Sequence, residues 1–261
     1  MHIHKPKELH GWRAFAGEVG VIVIGILIAL ALEQTVEWIN WHEQSSRTEA
    51  AFQAELKYNF LFAYERRVVD PCVRKRIAFL RDKLLEPGPH WDGAMVPTVA
   101  NDFYKQPPMP SVLSMPFRPR RMEAWQTALA SGVLNHMPSD RVTIYARIYD
   151  QVGLLKETQD EELTAVHQIG GLAFTRELSP SDRTSYLDRL AYISNLNRLI
   201  VGQSGQLIHA PFTLGADTFH ISQADATAAV ERTRPVYGTC VTAEAVPTPQ
   251  DPASSFWFTT P

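Results

Sequence analysis

The sequence predicts an all-α protein: a single N-terminal transmembrane helix that continues into a helical bundle-like domain, with proline-rich irregular segments. Three observations predict it. Residues Val19 to Leu32 read VGVIVIGILIALAL, without a charged or strongly polar side chain. Beyond them, apolar residues recur at helical spacing, and no proline or glycine interrupts residues 26–70. Two N-capping signatures, Ser179-Pro180-Ser181-Asp182 and Ser222 with Asp225, open later helices.

The chain has 261 residues, 45% apolar and 20% charged, with a formal net charge of −3. That balance excludes a collagen, a disordered polymer and a multi-pass membrane protein. It also argues against nucleic acid as a partner, since such binders are usually strongly basic. Two cysteines are too few for a disulfide scaffold or a four-thiolate zinc site.

Residues 1–13 form a short tail carrying Lys5, Lys7 and Arg13 against Glu8, a net +2, so the remainder nets −5. The membrane helix spans residues 14–32, with Glu18 as its one charge. It is long enough to cross the hydrocarbon at about 1.5 Å per residue. Trp12 precedes it, and Trp38 and Trp41 follow it. Trp12 and Trp38 lie about 39 Å apart along a helix, close to the distance between headgroup regions where tryptophan prefers to sit. The basic flank predicts a cytoplasmic N-terminus and an outer C-terminal portion. Ala29-Leu30-Ala31 has the small-x-small form of a signal-peptide cleavage site. The helical pattern runs on through Glu33, Val36, Glu37 and Trp41 without a breaker, so a retained anchor is the expectation.

The run from Glu18 through Val19-Gly20-Val21-Ile22-Val23-Ile24-Gly25-Ile26-Leu27-Ile28-Ala29 to Leu30, then Glu33-Gln34 and the Trp38/Trp41 pair, resembles a family of uncharacterised bacterial single-pass inner-membrane proteins. The likeness covers residues 8–44 and recurs loosely around Trp125 and Ser131-Gly132. It implies a bacterial inner membrane, a cytoplasmic tail and a helical periplasmic domain, and it implies no activity.

Past the membrane, Trp38, Trp41, Phe52, Leu56, Phe60 and Ala63 keep helical spacing, predicting one rod as far as Val69. Asp70-Pro71 is expected to stop or kink it, with a second helix from Cys72 to Leu85, so residues 33–86 form a membrane-proximal pair. Residues 87–119 carry eight prolines and read as a loop, either an interdomain linker or a segment wrapped over the bundle. Trp91, Phe103, Tyr104 and Phe117 favour wrapping. Residues 120–234 hold the bundle domain. Met122, Trp125, Leu129 and Val133 share one face, and a helix from Ser139-Asp140 runs or bends toward Gly170-Gly171. The helix after Ser179 places Tyr186, Leu190, Ile193, Asn197, Ile200, Ser204 and Leu207 on a bundle seam. The last helix is expected to end near Thr233, and residues 235–261 read as an irregular tail.

Glu18 is the sharpest single residue, because an acid within a span is costly and usually faces a partner or a polar cavity. With Gly17, Gly20 and Gly25 offering small surfaces nearby, these four residues are the expected contact to a membrane partner, although their spacing is not GxxxG. Reach back to the headgroups is the simpler reading of Glu18. Cys72 and Cys240, in an oxidising compartment, can form one bridge or stay as two buried thiols. The nine histidines show no metal-ligand spacing, and His42-Glu43 lacks the second histidine of a zinc-protease helix. Gly202-Gln203-Ser204-Gly205 lacks nucleophile-elbow spacing, and no phosphate loop or dinucleotide fingerprint occurs. Asp160-Glu161-Glu162 and the basic residues Arg66/Arg67, Arg74-Lys75-Arg76 and Arg118-Pro119-Arg120-Arg121 read as solvated faces.

The sequence therefore predicts no catalytic, cofactor or metal residues and no small-molecule ligand. The expected role is a non-catalytic accessory or scaffold subunit of an integral membrane protein complex in the lipid bilayer, of which respiratory and photosynthetic complexes are examples. A periplasmic ligand sensor signalling through a partner and a membrane-tethered enzyme are the alternatives.

Overall fold

The computed structural model describes residues 11–96, 111–213 and 221–246. Helix α1 (Gly11–Leu85) is one continuous 75-residue element, about 112 Å long at the usual rise. It has two unlike halves. From Phe15 to Asn40 every residue except Gly20 is exposed, including the apolar run Val19–Leu32. It makes α1 the one helix, among the described residues, long and apolar enough to cross a membrane. From Phe52 to Leu84 the same helix is the spine of the core, burying Phe52, Leu56, Phe60, Ala63 and Leu80 on an inward stripe.

The proline does not end the helix. Pro71 lies inside α1, where it removes a backbone donor and ordinarily costs about 3 kcal/mol or more. Tertiary partners gather on that turn. Asp70 accepts a 2.7 Å bond from Asn197 Nδ2 and pairs with Arg74 at 2.8 Å. The Val68 carbonyl accepts the Thr242 N–H at 3.2 Å, and Cys72 is bonded to Cys240. The expected division at Asp70-Pro71 is thus corrected: residues 33–86 contain one helix, not two.

Four further helices pack against this spine: α2 (Glu123–Ser131), α3 (Ser139–His167), α4 (Pro180–Thr213) and α5 (Gln223–Tyr237). α2 ends at Gly132, whose φ of 75° is the left-handed conformation that glycine tolerates best. A 3-10 turn, Val133–His136, then reverses the chain into α3. This turn is the part of the domain nearest the exposed half of α1, because His136 stacks on Trp41. α3 climbs from there, with Tyr145 and Tyr149 against Phe52 and Glu162 opposite Arg66.

Ser179 and Asp182 cap α4 reciprocally, and of the expected seam Leu190, Ile193, Asn197, Ile200, Ser204 and Leu207 are buried while Tyr186 is half-buried. A full capping box at Ser222 and Asp225 opens α5. α5 runs through Pro235 to Tyr237, three residues beyond the expected domain limit, and Gly238–Cys240 forms a 3-10 turn.

The described parts of the proline-rich loop fold onto the bundle. Strand β1 (His90–Asp92) pairs antiparallel with β2 (Thr175–Glu177), while Trp91 is buried and donates to the Leu172 carbonyl at 2.8 Å. At Gly93, φ is +75° and a Cβ would lie 2.8 Å from the Ala173 carbonyl oxygen, so glycine alone allows this close approach. Phe103, Tyr104 and residues 247–261 lie outside the described residues, as does the tail before Gly11.

Candidate functional site

Two places on the molecule carry the residues singled out from the sequence. The first is the exposed half of α1. Trp12 is 79% exposed, and Glu18, Gly17 and Gly25 are exposed too. A Cβ added at Gly17, Gly20 or Gly25 would meet nothing within 4 Å. Helical geometry puts Glu18 and Gly25 on one face and Gly17 and Gly20 on another, so the four do not form one patch. Trp38 is 65% exposed and stacks on His42. Trp41 differs: it is half-buried, and its ring lies 3.8 Å from that of His136, within 8° of parallel. It thus joins the folded domain to α1 nine residues beyond Leu32, where the uncharged run ends.

The second place is a cluster of charges inside the domain, where the sequence pattern predicts solvated faces. Arg66 and Glu162 are 2% and 3% exposed. Arg66 Nη2 donates to Glu162 Oε1 and to Asn197 Oδ1. Asn197 in turn reaches Asp70, so the polar chain crosses three helices beside Pro71. Arg118 lies 3.6 Å from Glu65, and Arg120 donates to the Asn59 carbonyl. Arg76 donates to the Val112 and Ala94 carbonyls and ties two parts of the proline-rich loop to α1. Glu162, Arg66 and Arg120 are therefore corrected from surface residues to interior ones, Arg67 and Arg76 are half-buried, and Asp160, Glu161, Arg74, Lys75, Arg118 and Arg121 are exposed as expected. Arg66 and Glu162 lie on helix faces that meet another helix, whereas Arg120 lies in the irregular segment before α2.

Desolvation dominates the electrostatics of the cluster. Burial pushes the Glu162 carboxyl up to about 7, against the opposing pull of Arg66. Glu65 is raised for the same reason, despite nearby Arg118. Burial lowers Arg120 to about 10 and raises the Tyr237 phenol to about 12. Glu65 Oε2, Arg66 Nε and Nη1, and Arg120 Nε are buried with no hydrogen-bond partner among the described residues.

Against this cluster lies a cavity of about 430 Å³, between α3 and residues 111–117. Its walls include Leu113, Met115, Phe117, Leu163, Val166 and Phe174, with Gln159, Glu162 and His167 as polar members. No sequence motif marks it, since one wall is an irregular segment and the other is the flank of a long helix. Among the described residues no group of three or more acids, histidines or cysteines could hold a metal.

Cys72 and Cys240 form a disulfide with Cα atoms 5.2 Å apart, across a sequence separation of 168. It joins α1 to the segment after α5.

Comparisons with protein-family models, with curated proteins and with solved structures found no match.

Proposed function

We propose that this chain is a non-catalytic accessory or scaffold subunit, anchored in a bacterial inner membrane and packed against a larger membrane protein complex. Its N-terminus is cytoplasmic and its folded domain periplasmic in this reading. The observation that carries it is that a single helix serves as both the apolar segment and the spine of the core. A domain built around such a rod is held at one height and one rotation relative to the bilayer, as a positioning subunit requires. Contact to the partner runs through the face bearing Glu18 and Gly25, with Gly17 and Gly20 beside it, because an acid within a span is stabilised by a polar partner.

The test is purification in mild detergent followed by blue-native electrophoresis. A stoichiometric complex that Glu18→Leu weakens is the expected result. A wild-type monomer, or a complex of unchanged size and yield in the variant, overturns it.

A second reading, a ligand-sensing module that signals through a partner, is favoured by one contact. Glu162 in the cavity wall is hydrogen-bonded to Arg66 on α1, the same helix that carries the apolar segment.

A further inference from the structure

We propose that the cavity between α3 and residues 111–117 is a binding site for an uncharged, apolar molecule bearing one hydroxyl group, held by the Glu162 carboxyl. This site is independent of the anchor and of any membrane partner.

Its size and lining suit a small organic ligand. Cavities of several hundred Å³ with apolar walls and a few polar groups are the usual form of such sites, and this one measures about 430 Å³. The walls of Met115, Phe117, Val166 and Phe174 would surround an apolar body. Phe174 is 54% exposed and Phe117 42%, so the cavity is open to solvent and needs no unfolding for entry.

The head group is chosen by Glu162. One carboxyl oxygen, Oε1, is taken by Arg66, while Oε2 makes no hydrogen bond among the described residues, in a side chain that lines the cavity. Arg66 already offsets the Glu162 charge. A cationic head would have to share a carboxyl already paired with the Arg66 guanidinium, and Arg120 adds a second buried positive charge beside Arg66. An anionic head would meet the Glu162 carboxylate first. A neutral head is left, and it has to bond a carboxyl that titrates near neutral pH. A hydroxyl does so in both states: it donates to the carboxylate and accepts from the protonated acid.

The experiment uses the full chain in lipid nanodiscs and fluorine NMR, with empty nanodiscs subtracted. The probes are 4-(trifluoromethyl)benzyl alcohol, its methyl ether and 4-(trifluoromethyl)benzylamine, which share one apolar body. At pH 8, saturable binding of the alcohol is expected, with the ether and the amine each at least about tenfold weaker, the size of one hydrogen bond to a charged group. Val166→Trp and Met115→Trp, which fill the cavity from opposite walls, should each abolish binding. Absence of saturable alcohol binding, an ether or amine that binds as tightly, or binding untouched by both tryptophans would overturn the assignment. The probe comparison is made on the unaltered chain, so it stands even where a filled variant misfolds.

Discussion

Arg66 on α1 donates a hydrogen bond to Glu162 on α3, 96 residues further along the chain, with both side chains almost wholly removed from water. Buried pairs of this kind contribute little net stability, yet breaking one partner is costly because the other charge is left unpaired. Glu162→Leu is therefore expected to lower stability by about 3–5 kcal/mol, whereas Arg66→Met together with Glu162→Leu should recover most of the loss. Urea denaturation followed by circular dichroism measures both. Equal destabilisation by the single and double variants would refute the pairing.

The same carboxyl makes stability depend on pH. Its folded value, about 7, lies above the ordinary 4.5, so the folded chain holds a proton that the unfolded chain releases between those values. Stability must then fall as pH rises from about 4.5 to about 7, by on the order of 3 kcal/mol. Glu65 is shifted in the same direction and adds to the slope. Asp182 and Asp225 are lowered, so their contributions are lost only at more acid pH. Denaturant midpoints from pH 5 to 8 should show the decline, and Glu162→Gln should flatten it.

The Cys72–Cys240 bond closes a long loop and fastens the chain after α5 to the proline-bearing turn of α1. In the chain-entropy model, opening it costs about 5 kcal/mol. Cys72→Ser with Cys240→Ser should lower the denaturant midpoint accordingly, and the unaltered chain should migrate faster on non-reducing than on reducing gels. Equal migration with both thiols open to alkylation would exclude the bond.

His136 on Trp41 is the contact nearest the exposed half of α1. His136→Ala is expected to cost about 1 kcal/mol, the order of one aromatic pair. Hydrogen exchange should speed up in the Val133–His136 turn and stay unchanged at the far end, around Trp91. A uniform change across the domain would mean that the stack does not hold this turn.

The membrane-type segment was plain in the sequence because an uncharged apolar run is a property of consecutive residues. The caps at Ser179 and Ser222 were equally legible, since each acts within one helical turn. The α4 seam followed from its three- and four-residue spacing. Pro71 misled because the rule for proline weighs the donor it removes and knows nothing of Asn197, Thr242 or Cys240, which lie more than 120 residues away and stabilise that turn. Arg66 and Glu162 misled for a related reason, as each looks solvated until the other is placed opposite it.

The sequence by itself determined the apolar segment, the helical class and the starts of the helices at Ser139, Ser179 and Ser222, all set by interactions among residues a few positions apart. Tertiary structure alone decided the continuity of α1, the burial of the charged cluster and the cavity beside it. Those features depend on which distant groups meet, and a buried charge or an interrupted helix turn survives only where the fold supplies its partner.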